Sequence, residues 1–291
     1  MVIREKEPMA SHTTFRVGGP ALYYLIPEDS SEIGDALGFA QERELPFMIV
    51  GNGSNLLFSD SGYQGVVIEI GENIAELTIA SQGRVCVGAG MRLSVMAGRL
   101  AAEGLAGFEF AAGIPGTVGG AVTMNAGAYG GEIGDCLKEV TVMSPGGERM
   151  TLGADELELS YRHSILQDGE LIVLDGTFEF ESGDPDEIRE KIKELNSKRR
   201  EKQPLDFPSA GSTFKRPEGY FAGKLIEDAG LRGFSIGGAM VSDKHCGFIV
   251  NKGEATADDI FSLIEHVRRI VKETSGVELE PEVKLIGDFT K

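Results

Sequence analysis

Glycine placement limits what this chain can fold into more than any other feature. Of its 291 residues 40 are glycine, and eight of these fall within the 22 residues from Gly113 to Gly134. A run this dense in glycine has the most backbone freedom to lose on ordering. Close approach of backbone amides to a ligand is a gain that offsets such a loss, because no side chain stands in the way. A shorter stretch of the same kind, Gly51-Asn52-Gly53-Ser54-Asn55, follows the apolar run Phe47–Val50. Neither is a dinucleotide fingerprint. Leu56 stands where the third glycine of G-x-G-x-x-G belongs, Gly88-Ala89-Gly90 fails in the same way, and no P-loop sequence occurs. For 51–55 a plain turn after a strand is an equal reading. For 113–131 a long ligand lying along the loop is the better one.

Composition removes several classes. With 28 Lys plus Arg against 46 Asp plus Glu, the formal charge is −18, the wrong sign for a general nucleic-acid binder. A hydrophobic share of 41% is too high for a disordered chain. Cys86, Cys136 and Cys246 are scattered, with no C-x-x-C pair, so no metal site is expected and a reducing compartment fits best. The N-terminal segment lacks the apolar centre of a signal peptide, and no stretch approaches the ~20 apolar residues of a spanning helix. A cytoplasmic protein is expected, with neither membrane nor nucleic acid as a partner.

The pattern reads as α+β in three segments, 1–71, 72–203 and 204–291. In the first, Tyr23, Leu25 and Pro27 alternate as a strand, and a helix from about Ser31 carries Ile33, Ala36, Leu37 and Ala40 on one face. Strands follow at Phe47–Val50 and Val66–Ile70. The second segment has a strand at Arg84–Val87 and a helix with Leu93, Met96, Ala97 and Leu100, stopped by Gly104. Strands at Glu139–Met143 and Leu171–Phe180 flank a turn at Pro145-Gly146-Gly147. Asp184-Pro185 opens a bridging helix with a basic end, Lys198-Arg199-Arg200. The third segment has a helix near Tyr220–Ala229, a strand at Gly247–Val250 and an amphipathic helix opened by Thr256, with Asp259 as its box partner. The alternating stretch 277–287 reads as one last strand.

Four motifs, in order, carry a resemblance over nearly the full chain. GNGSNLL at 51–57 with GIPGTVGGAVTMNAGAYGGE at 113–132, LSYRHS at 159–164, PSAGSTFKRP at 208–217 and EPEVKLIG at 280–287 resemble the UDP-N-acetylenolpyruvoylglucosamine reductases, cytoplasmic flavoenzymes of peptidoglycan synthesis. The resemblance implies a two-part FAD-binding domain of the p-cresol methylhydroxylase/vanillyl-alcohol oxidase type, 1–71 and 72–203, plus a smaller C-terminal α+β substrate domain, 204–291. The short path from Arg162 to Ser212 resembles the form of the family that lacks a substrate-covering tyrosine loop.

By the same resemblance, backbone around Asn52, Gly53, Ser54, Asn55 and Leu56 cradles FAD phosphates. Gly113, Pro115, Gly116, Thr117, Gly119, Gly120, Asn125, Ala126 and Gly127 line the rest. No His or Cys lies at 51–58 or 111–135, although Cys136 is adjacent, so the flavin is expected to be non-covalent. NADPH is the implied reductant and a UDP-sugar the implied substrate. Hydride passes from flavin N5 to the methylene carbon of an enolpyruvyl group, which leaves an enolate-like charge and a carbon in need of a proton. Arg162, whose planar fork suits a carboxylate, is the implied stabiliser. Ser212 is the implied proton donor and Glu282 an assisting acid. Lys202, Lys215 and Arg216 are the implied substrate contacts. Read without the resemblance, Arg162 is a loop arginine, Ser212 a serine in a small-residue turn and Glu282 one charge on a solvated face. His245 reads equally as a structural histidine. Another flavin oxidoreductase of this fold, or a non-catalytic flavin or sugar-nucleotide module, remains an alternative.

Overall fold

The computed structural model describes residues 1–168 and 171–289. The chain forms two compact units, one of Met1–Arg4, Tyr23–Asn52 and Gly65–Arg199, the other of Glu5–Leu22, Gly53–Gln64 and Arg200–Lys291. Among the described residues no helix is long and apolar enough to cross a membrane.

The frame of the first unit is an antiparallel five-stranded sheet in the order Arg149–Gly153, Leu137–Met143, Ile172–Glu179, Arg84–Gly88, Leu77–Ile79. The central strand Ile172–Glu179 is buried along nearly its whole length, Gly176 and Thr177 included, so its burial does not alternate. The turn at Pro145-Gly146-Gly147 closes as expected, with the Gly147 amide donating to the Ser144 carbonyl at 2.9 Å. Helix α1 (Glu32–Glu42) buries Ile33, Ala36, Leu37 and Ala40, and Phe47–Val50 pairs in parallel with Val66–Glu69. Helix α2 (Leu93–Ala102) buries the four residues its spacing predicts and stops at Gly104, whose φ is +65°. Helix α3 (Val118–Thr123) rises from the glycine run and packs on Ile172–Glu179. Helix α4 (Pro185–Lys202) is capped by Asp184, whose carboxylate accepts from the amides of Asp186 at 2.7 Å and Glu187 at 3.3 Å. One core joins these elements and includes the packed rings of Phe108, Phe178 and Phe180.

One expected alternation fails here. In the strand Pro20–Ile26, Tyr24 and Leu25 are both fully buried while Tyr23 is half-buried. Tyr24 tolerates burial because its hydroxyl donates to the Glu69 carboxylate at 2.8 Å, which satisfies the polar end of the ring.

The second unit packs α5 (Ala222–Asp228) and α6 (Ala257–Ser275) with an antiparallel sheet of Ser235–Ile236, Ala239–Val241 and Ile249–Asn251. The predicted capping box is formed. Thr256 Oγ1 accepts from the Asp259 amide at 3.0 Å, and the Asp259 carboxylate accepts from the Thr256 amide at 3.1 Å. Ile260, Leu263, Ile264, Val267 and Val271 are buried on α6, each contributing roughly 1.5–3 kcal/mol relative to exposure. Truncating Ile264 to alanine would cost about 2–5 kcal/mol.

The reading of 277–287 as one strand is corrected. Only Lys284–Ile286 is a strand, paired in parallel with Leu56–Phe58, and an isolated bridge joins Pro281 to Phe214. Pro281 has no N–H to continue a ladder. Leu279 and Val283 are buried, but Leu285 is exposed, so the alternation does not carry through. Glu282 is half-buried rather than part of a solvated face.

Candidate active site

In the first unit the two glycine loops lie against each other. A Cβ on Gly51 would collide with the Thr117 hydroxyl, and the Asn52 side-chain amide donates to the Pro115 carbonyl at 2.8 Å. Gly119 sits on Ala89, where a Cβ would come within 3.0 Å of the alanine methyl. The amides of Gly116, Gly119 and Ala126 are spent on the carbonyls of Ile114, Ala89 and Ala121. Those of Gly113 and Gly120 donate to no acceptor among the described residues. Gly113 faces α4, where a Cβ would lie 2.8 Å from Asn196 Oδ1 and 3.0 Å from Arg199 Cδ. Arg199 is therefore half-buried beside the loop, and burial lowers its pKa below the usual arginine value. Its place in the basic run that ends α4 gives no sign in the sequence of this burial. Cys136 is buried, and its thiol is pushed up to about 12 by that burial and by Asp135. It offers no thiolate for a covalent link.

Gly53 belongs to the second unit. Its φ is +58°, and a Cβ would strike the His12 carbonyl. The Thr14 amide donates to the Gly53 carbonyl at 3.2 Å. The amides of Gly53 and Ser54 donate to no acceptor among the described residues. Asn55 turns the other way. Its side-chain amide donates to the Glu282 carbonyl at 3.0 Å, and its own carbonyl accepts from the Lys284 amide at 2.9 Å. Leu56 opens the strand that pairs with Lys284.

The structure sets the segment of Ser212 alongside the segment of Glu282. The Lys215 amide donates to the Glu280 carbonyl at 2.9 Å and the Glu282 amide to the Thr213 carbonyl at 2.8 Å, on either side of the Phe214–Pro281 bridge. That antiparallel register puts Glu282 opposite buried Thr213, with exposed Ser212 the next residue along the chain. Gly211, with φ +76°, makes the bend before it. Lys215 is already paired, with its Nζ 2.6 Å from a Glu280 carboxylate oxygen. Arg216 lies over the exposed ring of Phe221, 4.1 Å from its centroid, and donates from Nε to the Tyr220 carbonyl at 3.3 Å. Lys202 is exposed at the end of α4. His245 is a structural residue: its Nδ1 accepts from the Gly247 amide at 3.1 Å, its ring meets Phe248 edge-on, and burial lowers its pKa.

Arg162 lies in the first unit, at the second central position of a two-residue turn closed by Ser160 and His163. Its φ is +56°, a left-handed conformation that costs an arginine about 1–2 kcal/mol. Nη2 donates to the Gly127 carbonyl at 3.1 Å. Two further bonds tie this turn to the glycine run: Asn125 Nδ2 to the Ser160 carbonyl at 3.0 Å, and Ser164 Oγ to the Thr123 carbonyl at 2.6 Å. The Asn125 side chain is thus committed to the protein, its Oδ1 accepting from the Gly134 amide at 2.9 Å.

Residues 21–153 match the model of an FAD binding domain, and residues 203–286 match the C-terminal domain of UDP-N-acetylenolpyruvoylglucosamine reductase. A UDP-N-acetylenolpyruvoylglucosamine reductase of Lachnoclostridium phytofermentans is 55% identical over 97% of this chain and 92% of its own. The chain belongs to the UDP-N-acetylenolpyruvoylglucosamine reductase family. A crystal structure of the Thermus caldophilus family member superposes with a TM-score of 0.83 at 36% identity, covering 98% of this chain and all of the other. A Physcomitrella patens BBE-like protein shares the fold alone, with a TM-score of 0.51 at 19% identity over 60% of this chain and 40% of its own. The expected α+β architecture, an FAD-binding part followed by the family's C-terminal domain, is borne out.

Proposed function

We propose that this chain reduces the enolpyruvyl group of UDP-N-acetylglucosamine enolpyruvate to UDP-N-acetylmuramate, with FAD bound non-covalently and NADPH as reductant, for peptidoglycan synthesis in the cytoplasm. The observation that carries the reading is the glycine loop geometry. Among the described residues, backbone amides at Gly53, Ser54, Gly113 and Gly120 have no protein acceptor, which suits phosphate oxygens. The residues present therefore fit the cofactor. When bound, FAD supplies the hydride it receives from NADPH.

The chain's own groups do the rest. Arg162 pairs its fork with the substrate carboxylate and stabilises the negative charge that builds next to it. Ser212 gives its hydroxyl proton to the carbon left as a carbanion equivalent, and Glu282, on the neighbouring segment, assists that transfer. Lys202 and Arg216 hold the diphosphate. Lys215, with Glu280 on its ammonium, tunes the charge at the Ser212 segment more than it grips substrate.

The test is spectroscopic. Purified protein should show a flavin absorbance that bleaches with NADPH and returns on adding the enolpyruvyl sugar nucleotide. Bleaching without return would leave a flavin reductase with a different acceptor.

A further inference from the structure

We infer that Gln167, together with Asn125, is a positioning residue that holds Arg162 in its left-handed turn and so aims its guanidinium. The inference rests on the role given to Arg162 above.

A two-residue turn with positive φ at its second central position ordinarily takes glycine or asparagine there. Here that position holds arginine, at φ +56°. The turn would be easier to form with another residue, so the side chain is what the position serves. A strained backbone needs external bonds to keep it in place, and two side chains provide them, one at each end of the Tyr161-Arg162 pair. Gln167 reaches back five residues and donates from Nε2 to the Arg162 carbonyl at 2.7 Å. Asn125, fully buried and itself at φ +41°, donates to the Ser160 carbonyl at 3.0 Å.

Gln167 is in turn located by its surroundings. It lies in the 3-10 turn Ile165–Asp168, and its amide donates to the Ser164 carbonyl at 3.2 Å. Ser164 is buried, and its hydroxyl is pinned to the Thr123 carbonyl. The carbonyls on both sides of Tyr161-Arg162 are thus held by amides anchored in the glycine run or next to it. A guanidinium stands far from its Cα, so a small backbone rotation moves it a long way. A misplacement of about 1 Å at a reacting group can cost roughly 10²-fold.

The experiment uses the full-length flavoprotein and stopped-flow absorbance. Gln167→Met keeps the length of the side chain and removes the donor. It should slow flavin reoxidation by the enolpyruvyl sugar nucleotide about 10–10²-fold, with the flavin spectrum and the rate of reduction by NADPH nearly unchanged. The deciding measurement is the double variant. In an Arg162→Ala background, Gln167→Met should add no further loss. An equal fractional loss with and without Arg162 would overturn the positioning role and leave only a structural one. If Arg162→Ala is slow and Gln167→Met runs at the parent rate, the inference fails alone. If Arg162→Ala itself runs at the parent rate, the role of Arg162 and the inference fall together. Should Gln167→Met yield no holoenzyme, Gln167→Glu, of the same shape but without the donor, makes the same comparison.

Discussion

The amide of Glu282 donates to the carbonyl of Thr213 at 2.8 Å, one residue past Ser212. Two segments far apart in sequence are thereby locked in one register, with Glu282 opposite Thr213 and Ser212 next to Thr213 along the chain. The closing Phe214–Pro281 bridge leaves no spare N–H at the proline, so the pairing is short.

Ser212→Ala should leave flavin reduction by NADPH almost intact and slow reoxidation by substrate about 10²–10⁴-fold, the size of a general-acid effect. Stopped-flow absorbance separates the two phases. Equal loss in both would sink the proton-donor role.

At Arg162, stability and activity should part. Alanine keeps the left-handed strain and glycine relieves it, so Arg162→Gly should be more stable than Arg162→Ala by about 1 kcal/mol. Both should lose roughly 10²–10³-fold in reoxidation, the size of a lost charge stabiliser. Urea unfolding of the two variants checks the first statement. An alanine variant as stable as the glycine variant would show that the turn relaxes in solution.

Glycine substitutions should divide sharply by place. Gly53→Ala meets the His12 carbonyl and a φ of +58°. It should lower the melting temperature and weaken FAD retention at least about tenfold, the equivalent of some 1.4 kcal/mol. Gly98 lies on α2 with nothing near its missing Cβ. Gly98→Ala should stabilise by about 0.5–1 kcal/mol, with no change in flavin content. Flavin-to-protein absorbance ratios after gel filtration, with thermal melts, measure both.

His245 should contribute to the acid limb of stability. Burial, with Arg232 adding to it, holds its folded pKa below the ordinary 6.5. Between the folded value and 6.5 the unfolded chain therefore binds more protons. Stability should be full above about pH 6.5 and fall as pH drops through that window. Urea midpoints at pH 7.5 and 5.5 should differ less in His245→Gln than in the parent. Identical slopes would show that the ring is solvated in the native state.

What the sequence made legible follows from where the controlling interactions lie. The face of α1, the capping box at Thr256 and the Asp184 cap are set by residues within one or two turns, and each is found where the pattern put it. At 277–287 the alternation of side chains carries no information about a missing N–H partner, and Pro281 decides that point. The site residues were legible only by family resemblance. Nothing near Arg162 in sequence signals a left-handed turn, and nothing marks Gln167 or Asn125 as its supports. Those contacts depend on Thr123–Gly127 meeting Ser160–Ser164, a tertiary event.

The bond from Asn55 to Glu282 joins residues 227 apart, and the strand Leu56–Phe58 pairs with Lys284–Ile286. At about 5–20 residues per second on the ribosome, Asn55 is made roughly ten to fifty seconds before its partner. Throughout that time the early strand has an open edge, a surface that invites pairing with other chains. Nascent chains stalled before residue 280 should therefore be aggregation-prone through the unpaired edge of Leu56–Phe58.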